Sequence, residues 1–211
     1  MRPDLRLPAP RVLRASLPWQ DDPVHLVSAA FDPVLGRPAW LVQRRHGSFV
    51  TMEFGEPAVE IGEPKLLPVH IDGAPPRSMQ RAAHVRGQWH LWIYCCQWSV
   101  TLDGAQLAHS ESRSITINRA LHVLNGQGLT GVHVDPMDVS SQFAFDLGCT
   151  LTTRLAPPGT YDDELVTQWR LDQWRPSGQV LEVRGDGQYS VCGLETTSAD
   201  QRWIPLPAED A

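Results

Sequence analysis

The sequence predicts a mainly β domain of α+β type, with two twisted antiparallel sheets or half-barrels and one helix near residues 115–125. Short runs of alternating apolar and polar residues recur along the chain, the period of half-buried strands. Sixteen glycines and 18 prolines among 211 residues break those runs at turn-like intervals. Helical periodicity is clear in a single window, where Ile117, Ala120, Leu121 and Leu124 fall on one face.

Taken in order, residues 1–18 carry Pro3, Pro8, Pro10 and Pro18 and read as an extended arm, followed by one globular domain over 19–205 and a tail over 206–211. The pattern also allows two halves, 24–110 and 127–205. Val24 to Phe31 reads as a first strand. Ala39–Gln43 and Phe49–Phe54 flank Arg44-Arg45-His46-Gly47-Ser48, a hairpin-sized loop. Val59–Ile61 and Leu66–Ile71 are weaker strands in a stretch rich in proline. Trp89 to Cys95 is apolar at nearly every position, which predicts burial on both faces, with Cys95 and Cys96 as core thiols pointing to opposite sides. Ser99–Leu102 and Ala105–His109 surround Asp103-Gly104, a strong hairpin signal.

Ser114 or Thr116 can cap the helix and Gly126 can end it. Beyond it, Leu129–Asp135, Gln142–Leu147 and Cys149–Leu155 read as strands, the last two bent at Gly148. Gln168–Trp174, Val180–Arg184 and Gln188–Cys192 complete the set, with Asp186-Gly187 as a second hairpin turn. A faint echo links Phe49–Gly55 with Phe143–Gly148 and Gln88–Leu91 with Gln168–Leu171. An internal duplication of a β unit would produce it, and so would chance.

The formal net charge is −6, with 17 Arg and one Lys, Lys65. That balance argues against a nucleic-acid partner, which needs a basic surface. Arg44-Arg45-His46 reads as a solvated turn in preference to an anion site. No apolar run reaches the length of a membrane span or a signal peptide, so a cytoplasmic protein is expected, with its four cysteines reduced.

Catalytic signatures are missing: no His-Glu-x-x-His, no Gly-x-Ser-x-Gly and no phosphate loop, since Gly126-Gln127-Gly128 follows a helix. Asp162-Asp163-Glu164 reads as a solvated loop. The best metal-like pair is His133 and Asp135, two apart on a predicted strand and so on one face, with His90 or Asp146 as a third ligand from a neighbouring strand. The same pair equally suits the polar phase of a solvent-facing strand. Of eight tryptophans, Trp89, Trp92 and Trp98 are expected in the core. Trp19, Trp40, Trp174 and Trp203 lie near turns or prolines and are candidates for a binding surface. Polar side chains are expected to scatter without converging on a reacting centre, and no cofactor is called for.

Gly87 to Trp98, Leu124-Asn125-Gly126-Gln127 and Phe143 to Leu151 carry a pattern that resembles a family of bacterial proteins with no assigned chemistry, over about Phe49 to Trp203. The Leu124–Leu151 segment is also similar to small β modules of bacterial toxin-immunity proteins. Neither resemblance brings functional residues with it. The reading is a non-enzymatic protein-binding protein, of the immunity type by that second resemblance, whose acidic surface suits a basic partner. A homo-oligomer is compatible with it, and the alternative is a metal- or small-ligand-binding enzyme built on His133 and Asp135.

Overall fold

The computed structural model describes Val27 and residues 30–66, 79–160 and 166–206. The expected arm, Trp19, most of Val24–Phe31, most of Leu66–Ile71, Asp162-Asp163-Glu164 and all of the tail but Leu206 lie outside the described residues.

The chain forms strands β1 (Trp40–Arg44), β2 (Val50–Phe54), β3 (Ala58–Ile61), β4 (Lys65–Leu66), β5 (Met79–Gln80), β6 (Ala83–Arg86), β7 (Trp89–Ile93), β8 (Gln97–Leu102) and β9 (Ala105–His109). Helix α1 (Ser114–Leu124) follows, then β10 (Leu129–Val134), β11 (Ser141–Phe145), β12 (Cys149–Arg154), β13 (Thr167–Gln173), β14 (Gln179–Arg184), β15 (Gln188–Gly193) and β16 (Ile204–Pro205). Seven strands make one sheet in the order β1-β2-β7-β13-β14-β15-β16, and five make a second, β10-β11-β12-β8-β9. Every pairing is antiparallel, and β3–β6 and β4–β5 form two small separate ribbons. The fold is mainly β with antiparallel sheets and the predicted helix. No helix of the described residues is long and apolar enough to cross a membrane.

Between the sheets lies one apolar core. The seven-stranded sheet contributes Met52, Phe54, Leu91, Ile93, Trp169 and Val183, and the five-stranded sheet Val100, Phe143 and Leu151. Trp169 is fully buried at their meeting point, with its ring 5.7 Å from Phe31 and 5.6 Å from Phe143. Helix α1 packs against β1 and β9, an edge strand of each sheet, and buries the predicted Ile117, Ala120, Leu121 and Leu124.

Several local expectations change. In place of a strand over Val24–Phe31, Val27 is helical and residues 30–36 turn. Pro33 offers no amide hydrogen and Gly36 takes φ +77°, so this stretch cannot continue a ladder. Phe31 and Val34 still reach the core. Strand β7 alternates: Trp89, Leu91 and Ile93 are buried, whereas His90 and Trp92 on its other face are half-buried. Cys95 and Cys96 fall in the bend between β7 and β8, with Cys95 at φ +27°. Burial raises the pKa of the Cys96 thiol, which suits an inert core group. The residue before the helix is Arg113, and no side chain caps the N-terminus, contrary to the expected Ser114 or Thr116.

The predicted hairpins form around Arg44–Ser48, Asp103-Gly104 and Asp186-Gly187. Asp103 and Gly104 both have positive φ, as a two-residue turn matching strand twist requires. Both sequence halves, 24–110 and 127–205, contribute strands to both large sheets. The echoed segments take unlike places: β2 pairs with β7, while β11 and β13 belong to different sheets.

Candidate functional site: a charged face on the seven-stranded sheet

Strand register dictates which side chains meet on the sheet's outer face. Directly opposed residues in adjacent strands share a face, and so do residues two apart along a strand. One row crosses the sheet as Trp40, Glu53, His90, Asp172, Val180 and Cys192. The next row runs Gln43, Thr51, Trp92, Arg170, Glu182 and Ser190. Polar side chains therefore meet on this face.

Each charge in these rows has a partner. Glu53 is 4% exposed and splits its two oxygens. Its Oε2 accepts the Gly87 amide at 2.9 Å, and its Oε1 lies 2.6 Å from Nδ1 of His90. Gly87 permits this because a Cβ there would collide with the backbone of Phe54. Arg170 donates to Asp172 Oδ1 from Nε at 2.8 Å and from a terminal nitrogen at 2.6 Å, and to Glu182 Oε1 at 3.2 Å. Gln201 donates to Glu182 Oε2 at 2.9 Å, extending the network to the loop before β16.

Burial and charge compete in the Arg170–Asp172 pair. Burial raises the Asp172 carboxyl above its usual range, more than Arg170 lowers it. Burial opposes the charge on Arg170 as well, yet two carboxylates outweigh that and raise its pKa. Burial weighs more on Asp172, whose side chain is 3% exposed, than on Arg170, 28% exposed.

An aromatic run borders the charges. Ring centroids step from His90 to Trp92 at 5.8 Å, Trp92 to Tyr94 at 5.6 Å, Tyr94 to Phe49 at 5.8 Å and Phe49 to His46 at 6.3 Å. Burial pushes the Tyr94 hydroxyl up to about 12, so it stays a neutral donor. Trp92 Nε1 and Ser190 Oγ, both in the second row, are buried and find no hydrogen-bond partner among the described residues. Buried donors are rarely left so.

The Glu53–His90 contact is the arrangement that orients an imidazole for proton transfer. Among the described residues, however, no hydroxyl or thiol hydrogen-bonds to His90. The surroundings instead favour holding a cation. Glu53, Asp172 and Glu182 outnumber Arg170, and ring faces stand beside them.

The residues singled out from sequence are distributed as follows. His90 sits in this face, in the seven-stranded sheet. His133 lies in the five-stranded sheet opposite Gln142. Strand β10 ends at Val134; the Asp135 amide donates to the Ser140 carbonyl at 2.9 Å, and its Oδ1 accepts the Met137 amide at 2.8 Å. Asp146 accepts the Gly128 amide at 2.7 Å. No three His, Cys, Asp or Glu among the described residues come together as metal ligands.

Trp40 opens the first row, its Nε1 donating to the Gly55 carbonyl at 2.9 Å. Trp174 lies beneath the Arg86 guanidinium at 4.2 Å, and Trp203 beneath that of Arg184 at 3.9 Å. Glu53, Arg170, Asp172 and Glu182 were missed by sequence reasoning. Nothing in the sequence marks them, since Val50-Thr51-Met52-Glu53-Phe54 alternates as any half-buried strand does. No protein-family model, curated protein or solved structure matches this chain, so the resemblances rest on the residues quoted for them alone.

Proposed function

We propose that the protein binds a basic protein partner on the outer face of the seven-stranded sheet, without catalysing a reaction. The observation that carries this is three carboxylates against one arginine in the two central rows, Glu53 and Asp172 buried and Glu182 partly exposed, with Trp92 and Tyr94 beside them. A Lys or Arg side chain from a partner would meet acid and ring face together, and the net charge of −6 would speed its approach. With the resemblance to toxin-immunity modules, the partner class that fits is a basic enzyme such as a nuclease toxin, held in the cytoplasm.

A hexa-arginine peptide is the probe, titrated at low ionic strength against tryptophan fluorescence. Saturable binding is expected, weakened about tenfold by Glu182→Gln and much less by Glu111→Gln, which removes the same charge from the exposed turn after β9. Equal loss in the two variants, or no saturable binding, would overturn the proposal.

A further inference from the structure

Among the described residues of this acidic protein, one concave place has the opposite character. A cleft of 560 Å³ lies between edge strand β1 and helix α1, within the range of small-molecule sites. Among the described residues its lining holds Arg44 and His122 and no Asp or Glu, in a chain with 24 acids. Among the described residues Arg44 makes no ion pair.

The helix side is ordered by its own period. Asn118, His122 and Asn125 follow at i, i+4 and i+7, so they form a polar stripe beside the buried apolar one. The strand side is a bulge. The β1–β2 register slips between Trp40 and Gln43, and Leu41 is driven to φ +52°. That region is costly for a side chain larger than Gly, and bulges re-aim side chains. Here the bulge leaves Leu41 42% exposed at the cleft. The Val42 amide it frees donates to Oδ1 of Asn125 at 3.1 Å, and the Gly126 amide donates to Ala39 at 2.7 Å. Strand and helix end are thus tied together across the cleft, which fixes the spacing of its walls.

We propose that this cleft binds a small anion, a carboxylate or phosphate, attached to an apolar body. Arg44 and His122 receive the anionic head from opposite walls. Asn118 and the free amide nitrogen of Asn125 offer further donors. Leu41, which the bulge exposes, faces the apolar body.

Calorimetric titration with phenyl phosphate, benzoate, inorganic phosphate and benzamidine tests this on the full chain. At least one aryl anion is expected to bind saturably, and the better of the two identifies the head group. Arg44→Gln, at an exposed position, should weaken it about tenfold with the melting temperature unchanged. Leu41→Gly keeps the positive φ at no steric cost; it should weaken the aryl anion but leave inorganic phosphate as it was. Failure of both aryl anions to bind, binding undiminished in Arg44→Gln, or benzamidine binding equally well would each overturn the proposal.

Discussion

The two large sheets finish their outer faces in different ways. Across the five-stranded sheet one row runs His133, Gln142, Thr152, Ser99 and His109, without a carboxylate. The equivalent row of the seven-stranded sheet carries Glu53, His90 and Asp172, with Arg170 and Glu182 beside it. Hydroxyls and amides can be solvated singly, and Thr150 and Thr152 are half-buried without ion pairs. Carboxylates as buried as Glu53 and Asp172 need partners, because an isolated buried charge costs several kcal/mol. One face is therefore a surface and the other a network. The same strand alternation underlies both.

That contrast can be broken or sharpened by substitution. The largest effect is expected beneath both faces, at Trp169, whose Nε1 donates to the buried Ser141 hydroxyl at 2.8 Å. Trp169→Ala should cost about 4 kcal/mol in urea unfolding, through lost packing and an orphaned hydroxyl. Arg170→Met leaves Asp172 and Glu182 without their cation; about 2 kcal/mol is expected, tempered by the exposure of Arg170. A loss below ~0.5 kcal/mol would show the seven-stranded face to be no more a network than the other.

Asp172 also predicts a pH dependence. A carboxyl whose pKa is raised on folding holds its proton more tightly in the native state. Its contribution is fully present below the unfolded pKa, about 4, and is lost as pH rises through the raised native value. Urea midpoints measured from pH 3 upward should fall across that window in the wild type, and the fall should be smaller in Asp172→Asn. An unchanged slope would remove Asp172 from the account. The smallest effect belongs to the five-stranded face: Thr152→Val should change stability by no more than about 0.5 kcal/mol, since its hydroxyl joins no ion-paired row.

Much of the fold was legible because its signals are local. The stripe Ile117–Leu124, the turn pairs Asp103-Gly104 and Asp186-Gly187 and the stop at Gly126 each lie within a few residues. The charged face was not legible. Glu53 and His90 are 37 residues apart, and Asp172 joins them through a strand that returns only after the chain has built the five-stranded sheet. His90 stood out as the exception in an apolar run, but nothing nearby named its neighbour. The ribbon β3–β6 shows the reverse failure. Val59 pairs with Val85 and Ile61 with Ala83, a pattern fit for a core, yet Val59, Ile61 and Val85 remain 48–69% exposed, with no layer over them among the described residues.

By itself the sequence determined the mainly β class, the single amphipathic stripe and the two-residue turns, because these follow from backbone sterics and side-chain period over a few residues. Only the tertiary structure decided which strands lie side by side, and with that which acids meet which cations, what is covered and where a bulged edge strand stands off from a helix. Strand pairing is chosen by the collective burial of one shared core, a quantity summed over the whole chain and carried by no single segment of it.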